Sequence, residues 1–421
     1  MRTEKIILKK IKVKDYWHLI NYAHYSNNLY NFTLYNVNEY YKEAGKYLGR
    51  FKLNDKIKNN ENYKLLPAQS AQQIIKIIDQ NFRSFITLLK KKKNGNYSGN
   101  INAPKYLKKG GLYNTYFTFQ NSRINEKYIE LTVSNTYSKI NNIKPIIIPF
   151  NKKINGKVKQ IILKPINNGQ YFKLYITYEE NNNNINKINN SNNENNKISI
   201  DLGINNFAGV FSTVSRPFII NGKALKSFNG YYNKLKAKYQ GELKIKNNKY
   251  WSKRLQLLEL KRENYINNYF HITSKRIKDY CLDNNISEVI LGYNELWKQN
   301  INIGKINNQK FNYIPFYKFK GMLKYKLEDI GSNLIINEES YTSKCSALDK
   351  EIIEKHDQYL GNRIKRGLFK SNKGILINSD INGAINIMRK HVVDDVILNN
   401  NQSIEGLVLN PIKFNIFYKI P

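Results

Sequence analysis

Cysteine is scarce in this chain of 421 residues, which carries only Cys281 and Cys345. The two thiols lie far apart in sequence, and neither has a second cysteine nearby. The sequence therefore excludes a disulfide framework and a C-x-x-C zinc site, and it indicates a reducing compartment. We interpret Cys281 as a core residue of a helix.

Acidic residues are also few, since 32 Asp and Glu stand against 69 Lys and Arg and the net charge is +37. The basic excess is spread along the whole chain, so we expect binding to a polyanion with an affinity that falls as salt rises. The 32 tyrosines are interleaved with the lysines, which favours stacking on unpaired bases. A genome rich in A and T would enrich Asn, Lys, Ile and Tyr, but it would not by itself remove acidic residues to this degree.

Long apolar runs are absent, and none approaches the roughly 20 residues that a membrane-spanning helix needs. The first residues do not resemble a signal peptide, so we expect no membrane partner. The length favours two to four structural units.

The first hundred residues carry mainly helical patterns. Residues 3–13 predict a basic strand, and residues 15–48 predict a helix that begins at Asp15. A clearer helix follows Pro67, because apolar residues recur at three- and four-residue spacing as far as Leu89.

Strand patterns then replace the helical ones. Residues 101–180 favour short strands divided by Asn-Gly and Pro, which is typical of a barrel or a sandwich that the first strand completes. The Lys90–Lys93 run before them has two interpretations, a solvated helix end or a contact with nucleic acid. Residues 181–197 are mostly Asn and cannot bury a core, so we predict a linker between two halves of the chain.

One strand after this linker carries a single carboxylate. Ile198, Ile200 and Leu202 alternate with Ser199 and Asp201, which is the period of a strand with one buried face. An aspartate in the middle of such a strand is costly to bury unless it is paired or binds a cation. A solvent-facing aspartate before a turn would give the same pattern.

The elements after this strand follow a recognisable order. Their predicted ranges are strands at 208–212 and 216–220, a helical region at 227–283 with a break near 241–248, a strand at 287–294, a helix at 316–330, a strand at 333–340 and a final helix from about Asp380. Three strands followed by strand, helix, strand and helix is the order of an RNase H-type nuclease core. The sheet of such a core places strand one in the middle, beside strand four.

The final helix begins with an acidic residue, Asp380, and Gly383 and Ala384 lie one turn later on the same face. These small residues would let the helix approach a sheet closely and bring Asp380 over it. The alternative is an acidic residue that only favours the helix dipole, which is worth roughly 0.3–1 kcal/mol.

Taken together, three motifs resemble the RuvC-like core of TnpB (OrfB) proteins, the transposon-encoded, RNA-guided relatives of type V CRISPR effectors. The motifs are Asp201-Leu202-Gly203-Ile204, Tyr341-Thr342-Ser343-Lys344-Cys345-Ser346 and Asp380-Ile381-Asn382-Gly383-Ala384-Ile385-Asn386-Ile387. The resemblance extends to residues 66–73, 81–85 and 156–171, and so covers nearly the whole chain in the expected order.

The resemblance implies an α/β fold with a RuvC/RNase H-like mixed sheet flanked by helices, plus an N-terminal wedge-like β-barrel with a helical recognition insert. The implied ranges are 1–14 and 101–180 for the barrel, 15–100 for the recognition insert, 198–340 and 375–421 for the nuclease domain, and 341–374 for an insert that binds target nucleic acid.

The implied activity is guide-RNA-directed cleavage of DNA beside a short flanking motif, in the cytoplasm next to the nucleoid of a bacterial or mobile-element host. Guide RNA and target double-stranded DNA are the implied partners of a monomer or dimer, and two Mg²⁺ ions are the implied metal cofactors. Candidate contacts to nucleic acid are Gln69, Gln72, Gln73, Arg83, Lys344, Arg363, Lys365 and Arg366. The last three form a basic cluster that would hold the displaced strand or belong to an ordinary solvated loop.

The resemblance makes Asp201 and Asp380 catalytic metal ligands, but Gly292 stands where such proteins usually carry a glutamate, at the end of the fourth strand. Nuclease chemistry of this type requires three carboxylates around two divalent ions. We hypothesise that Glu339 supplies the third carboxylate from the fifth strand. Neighbouring strands lie about 4.8 Å apart, and Gly292 has no side chain to obstruct a glutamate that extends over it.

Two further glutamates are alternatives for this place. Glu338 is the reserve, and Glu295 is a third choice. A solvated strand end would also explain the pair at positions 338 and 339.

Related proteins also carry a zinc knuckle of paired cysteines between the last two motifs. Here residues 345–349 and 369–374 take its place and contain one thiol. A tetrahedral zinc site cannot be assembled from one thiol, so we predict that this insert folds without structural zinc. His356 is either a lone ligand or, as we favour, a surface histidine.

Two other functions fit parts of the sequence. Gly292 favours an RNA-guided DNA-binding transcriptional regulator that has lost cleavage, whereas the intact surroundings of Asp201 and Asp380 favour a nuclease. A DNA-strand transferase would use the same core fold, but nothing in the sequence suggests a domain that binds transposon ends.

Overall fold

The computed structural model describes residues 2–9, 16–180, 188, 196–294, 313–365, 367–392 and 411–416. The chain divides into two compact units, Met1–Asn183 and Asn184–Pro421. The division falls within residues 181–197, most of which lie outside the described residues. No helix in the described part of the chain is long and apolar enough to cross a membrane.

The first unit combines helices with two antiparallel sheets. Its elements in chain order are β1 (Arg2–Lys9), α1 (Tyr16–Ala44), α2 (Arg50–Ile57), α3 (Glu61–Leu65), α4 (Ala68–Lys93), β2 (Thr115–Thr118), β3 (Ser122–Ile124), β4 (Tyr128–Leu131), α5 (Asn135–Asn141), β5 (Ile146–Pro149), β6 (Gly156–Ile166) and β7 (Tyr171–Glu180). Strands β1, β7, β6 and β2 form one sheet in that order, and β3, β4 and β5 form the other. The first strand therefore pairs with β7, 162 residues away at their nearest ends in sequence (171 − 9).

The helix predicted after Pro67 is confirmed as α4. Ile74, Ile78 and Phe82 recur at four-residue spacing and are buried, as the apolar stripe requires. The predicted helix at 15–48 is shorter, since α1 ends at Ala44 before a glycine with positive φ, and Asp15 lies outside the described residues. The short helices α2 and α3 were not predicted.

The second unit is built around a six-stranded sheet. Its elements in chain order are β8 (Lys197–Leu202), β9 (Asn206–Ser212), β10 (Phe218–Asn221), α6 (Lys223–Asn247), α7 (Lys253–Asp283), β11 (Glu288–Gly292), α8 (Phe316–Glu328), β12 (Asn333–Asn337), β13 (Asn362–Lys365), β14 (Leu368–Lys370), β15 (Leu376–Asn378), α9 (Ser379–Arg389) and β16 (Ile412–Asn415). The sheet order is β12, β11, β8, β9, β10, β16, and β13, β14 and β15 form a separate small sheet.

The six-stranded sheet is mixed. Strand β8 pairs antiparallel with β9 and parallel with β11, and β11 pairs parallel with β12. The strand that carries Asp201 thus lies inside the sheet, between the second and fourth strands, and the order of elements predicts the fourth strand as its neighbour. The helical region breaks at Asn248, whose backbone is left-handed with φ 49°. This position lies within the range 241–248 in which the break is predicted. Strand β16, parallel to β10, and the sheet β13–β15 were not predicted.

The alternation along β8 directs its side chains to two different cores. Ile198 and Ile200 are fully buried in the core that includes Cys281 of α7, which confirms the prediction for that thiol. Ser199 points to the opposite face, where its buried Oγ donates to the carbonyl of Ala384 in α9 at 2.6 Å. Asp201 lies on this second face, so the sheet presents the carboxylate to α9.

Gly209 is the residue that lets α9 approach so closely. It pairs with Asp201 across β8 and β9, and a Cβ at this position would lie 2.8 Å from the carbonyl oxygen of Asp380 and 3.0 Å from its Cβ. The nearest obstructing atom belongs to the backbone of Asp380, which cannot move without shifting the helix.

We expect Gly209→Ala to destabilise the protein by about 1–3 kcal/mol, the usual cost of overpacking. The matched control is Gly241→Ala in α6, where an added Cβ has no atom within 4 Å and helix propensity favours alanine by up to about 1 kcal/mol. Urea unfolding of the full chain measures both, and equal stabilities would show that α9 does not rest on Gly209.

Candidate active site

Asp201 lies near the end of β8, between the sheet and the first turn of α9. Its Oδ2 is 2.5 Å from the position that a Cβ on Gly383 would occupy. The Asp201 side chain occupies the space that a side chain at position 383 would fill. Glycine is therefore needed here for close packing, although it weakens the helix itself.

Asp380 is the second residue of α9, and its backbone is fixed by a cap. The Asn378 side chain accepts hydrogen bonds from the backbone N–H of Asp380 at 3.0 Å and of Ile381 at 3.4 Å. The Asn206 side-chain amide donates to Oδ2 of Asp380, and an Nη of Arg363 lies 3.9 Å from Oδ1. Asp380 is therefore oriented by an amide on one side and approached by a cation on the other.

Glu339 reaches the same place from beyond the end of β12. Gly292 pairs with Asn337, whose side-chain amide donates to the carbonyl of Ile387 in α9 at 3.2 Å. Two residues further on, an oxygen of Glu339 lies 3.1 Å from the position of a Cβ on Gly292. The Glu339 side chain thus lies over Gly292. Gly292 in turn lies beside Asp201, because the residues directly before them, Leu291 and Ile200, are paired.

The three carboxylates are close enough that two of them affect the pKa of the third, Asp201. Burial raises the pKa of Asp201 well above its ordinary value, and the negative charges of Glu339 and Asp380 raise it further. Arg363 opposes this shift. Bringing the three carboxylates together therefore costs free energy, which a bound cation would offset.

The donor set suits a hard divalent cation, because carboxylate oxygens are the ligands that Mg²⁺ prefers. As the side chains stand, no group of three or more acidic, His or Cys residues in the described part of the chain meets closely enough to hold a metal ion. The chemistry of Asp201, Glu339 and Asp380 fits Mg²⁺, and binding would have to draw their oxygens together.

Glu338, the reserve candidate, is directed elsewhere. It is exposed and accepts a hydrogen bond from Lys390 Nζ at 3.0 Å and others from the Oγ and backbone N–H of Ser340. Desolvation raises its pKa, but the hydrogen bonds from Ser340 and Lys390 outweigh it and leave the pKa lowered. The structure brings Glu339, and not Glu338, to Asp201. Glu295 lies outside the described residues.

The segment that replaces a zinc knuckle is organised by a buried carboxylate. Glu351 is only 5% exposed, and its two oxygens accept hydrogen bonds from the backbone N–H of Ser346 at 2.6 Å and of Leu360 at 2.8 Å. The thiol of Cys345 is buried and donates to the carbonyl of Glu354 at 3.7 Å. One thiol with these neighbours does not fit a structural zinc ion.

Two asparagines of α9 attach this segment to the helix. Asn382 and Asn386 are fully buried, and their amides donate to the carbonyl of Cys345 at 2.9 Å and 2.7 Å. Asn386 also donates to the carbonyl of Thr342. The sequence analysis did not predict either role. The available signal was the position of Asn382 and Asn386, four residues apart among the apolar residues of the last motif.

The predicted nucleic-acid contacts lie at several places. In the second unit, Arg363 donates to Ser379 Oγ at 2.8 Å beside Asp380, Lys365 is exposed, and Lys344 lies 5.7 Å from the ring centre of Tyr359. Arg366 lies outside the described residues. His356 is half-buried and bonds the carbonyl of Ile352.

In the first unit the candidates all belong to α4, three in its first half and Arg83 in its second. Gln69 donates to Gln120 at 2.9 Å, and Arg83 is held by Asp79 at 2.9 Å. Gln72 is exposed and Gln73 is half-buried.

Two family models match this chain. The model OrfB_IS605, described as "Probable transposase", matches residues 175–298, and the Cas12f1-like TNB domain model matches residues 316–387. The chain is a TnpB-like protein related to type V effectors. These matches span β8 and Asp201 in the first case and Glu339 and Asp380 in the second.

Two solved structures are similar to this chain to different degrees. A Cas12f1–sgRNA–target DNA complex, determined by cryo-EM, contains a chain 16% identical to this one with a TM-score of 0.57, over 91% of this chain and 83% of that chain. A cryo-EM CRISPR–Cas12f ternary complex gives 13% identity and a TM-score of 0.36, over 88% and 80%. The first likeness shows a mixed α/β fold with sheets and helices. No curated protein matches the sequence.

We expect Asp201→Asn to raise the Tm of the metal-free protein at neutral pH. A carboxyl whose pKa is raised by folding stabilises the folded state only at low pH, and its ionisation destabilises the fold as pH rises. Each kcal/mol recovered raises the Tm of a unit of this size by about 2–4 °C. Thermal melts with EDTA and with Mg²⁺ measure this, with the exposed Asp357→Asn as control.

Mg²⁺ should stabilise the wild type and the Asp357→Asn control but not Asp201→Asn. If Mg²⁺ raised all three melting temperatures equally, Asp201 would not be part of a cation site.

We expect Glu351→Ala to destabilise the second unit by about 3 kcal/mol, because it leaves two buried N–H groups without their charged acceptor. Glu354→Ala is the control, since that side chain is exposed and its change should stay within about 0.5 kcal/mol. Urea unfolding distinguishes the two, and a Glu351→Ala variant as stable as the control would show that the carboxylate does not hold the segment.

Proposed function

We propose that this chain is an RNA-guided DNA endonuclease of the TnpB type, which cleaves DNA beside a short flanking motif by metal-dependent phosphodiester hydrolysis. The observation that supports it is the convergence of Asp201, Glu339 and Asp380 at one end of the mixed sheet, where α9 covers it. Family relationship supplies the reaction class, since the chain is related to RNA-guided nucleases.

The proposal assigns the six-stranded sheet to a RuvC-like nuclease domain of residues 198–340 and 375–421. The position of β8 between β9 and β11, with α9 packed on the face that carries Asp201, supports this assignment. Residues 341–374 would be the insert that binds target nucleic acid. The strands of 1–14 and 101–180 would form the wedge-like barrel, and 15–100 the recognition insert, joined by a linker at 181–197.

Asp201, Glu339 and Asp380 would hold two Mg²⁺ ions. When bound, such ions activate water and stabilise the leaving oxygen of a phosphodiester. The protein's own side chains position these ligands. Asn206 orients the Asp380 carboxylate, and the Arg363 guanidinium beside it would meet the negative charge of a phosphate. Asn206 is thus a positioning residue.

Guide RNA and target double-stranded DNA are the proposed partners. The net charge of +37 supports a polyanionic partner, and the related Cas12f1 structure is a complex with sgRNA and target DNA. The protein would act as a monomer or dimer, without a membrane partner, in the cytoplasm beside the nucleoid of a bacterial or mobile-element host.

A cleavage-deficient RNA-guided regulator is the second candidate, and Gly292 is the observation that favours it. Without a side chain at this position the usual third carboxylate is missing. The approach of Glu339 to within 3.1 Å of the same point supports a nuclease instead.

Plasmid cleavage tests the proposal. The nucleic acid that co-purifies with the protein is sequenced to define the guide, and a matched plasmid library supplies the flanking motif. We expect Mg²⁺-dependent cutting by the wild type and a loss of more than about 100-fold in Glu339→Gln, since even outer-shell partners of metal ligands cost 10–100-fold.

Glu338→Gln is the matched control, because it removes the neighbouring carboxylate, and it should cut like the wild type. A wild type that binds matched DNA but does not cut it is a regulator. If Glu339→Gln cut as fast as Glu338→Gln, the third carboxylate would be assigned wrongly.

A further inference from the structure

A second cleft adjoins the candidate active site. The cleft that contains Asp380 has a volume of about 580 Å³ and is also lined by Arg363 and Lys413. It shares Asn205 and Lys223 with a neighbouring cleft of about 660 Å³. A strand that enters the first cleft can therefore continue into the second.

The second cleft contains an amide group that the fold does not satisfy. Asn229 of α6 is only 5% exposed, and its Oδ1 accepts a hydrogen bond from Arg262 Nε at 2.9 Å. Because a guanidinium only donates, this bond fixes which end of the amide faces Arg262. The other end, Nδ2, is buried and has no hydrogen-bond partner among the described residues.

One helical turn later, Asn233 presents the complementary group. Its Oδ1 is also buried and has no hydrogen-bond partner in the described part of the chain, and both asparagines line the second cleft. Buried polar groups are nearly always paired, so an unpaired donor and an unpaired acceptor one helical turn apart in the same cleft favour a ligand that carries both.

Among the residues that line the cleft, Tyr313 offers an aromatic ring to a planar ligand. Arg262 lies 4.8 Å from the ring centres of both Tyr232 and Tyr313, and it donates to the carbonyl of Tyr313 at 2.6 Å. Tyr313, which is half-buried, is thereby held as part of the lining. Gly230, between the two asparagines, leaves the space above α6 open, since a Cβ there would have no atom within 4 Å.

We propose that this cleft binds one unstacked nucleobase of the single strand that passes Asp380. The edge of a nucleobase offers hydrogen-bond donors and acceptors side by side, which Asn229 and Asn233 match, and its ring fits beside Tyr313. Lys223, shared by the two clefts, lies where the strand's phosphate would cross between them. The inference rests on the proposed function for the identity of the strand.

Gly230→Leu tests the pocket with little risk to folding, because leucine favours a helix more than glycine does. The full chain is titrated against short oligonucleotides in EDTA, and binding is followed by fluorescence anisotropy. One abasic position is moved along the oligonucleotide. DNA and RNA oligonucleotides of the same sequence are compared to establish which of the two strands supplies the base. Gly241→Leu, on the same helix and equally unobstructed, is the control.

We expect one abasic position to weaken wild-type binding by about tenfold, in line with base–aromatic stacking. Gly230→Leu should weaken binding of the intact oligonucleotide to a similar degree and abolish the effect of that position, whereas Gly241→Leu should behave like the wild type. Asn229→Asp, which keeps the acceptor for Arg262 and removes the free donor, should change which base is preferred at that position.

Equal binding by Gly230→Leu and Gly241→Leu, or an abasic scan without any sensitive position, would overturn the inference. Because binding is measured without divalent ions, a wild type that fails to cut DNA but shows the sensitive position would contradict the proposed nuclease and leave the pocket standing.

Discussion

The close approach of three carboxylates is the constraint around which the candidate site of the second unit is arranged. Asp201, Glu339 and Asp380 come from β8, from the chain after β12 and from α9, and folding brings their charges together in a partly buried space. Ordinary folding would separate or neutralise such charges, because desolvation and like charge both oppose ionisation. Their convergence therefore costs the fold stability, and the proposed Mg²⁺ ions would offset that cost.

Three glycines make this convergence possible. Each is needed because a side chain at its position would collide with a neighbouring residue, not because its backbone is left-handed. Gly209 admits the start of α9, and Gly383 leaves room for the Asp201 carboxylate. Gly292 leaves room for Glu339, and a Cβ in its place would clash with Ile387. The glycine that removes the usual glutamate is thus the same residue that makes space for another.

Much of this arrangement follows from the sequence because it depends on local periodicity. The alternation from Ile198 to Leu202 predicts which face of β8 carries Asp201, and the same rule places Glu339 on the face of Asn337. The nearness of Glu339 to Gly292 needed only strand spacing in addition. Strand β16 was not predicted although Ile412 and Phe414 alternate with Lys413 and Asn415, because so short an alternation does not specify a strand without its partner β10.

Contacts between distant residues could not be predicted for a different reason. Glu351 is an ordinary charged residue in sequence, and only the fold shows that it is buried and accepts two backbone N–H groups. Asn229 and Arg262 are likewise 33 residues apart, on two helices whose packing sets the contact. Sequence patterns report which face of an element is buried, but not which polar group it meets.

Crystals of the protein soaked with Mn²⁺, a stand-in for Mg²⁺ with an anomalous signal, provide the most direct measurement. We expect anomalous peaks whose ligands include oxygens of Asp201, Asp380 and Glu339. Peaks bound by the two aspartates with Glu339 turned away, or no peak at Asp201, would contradict it.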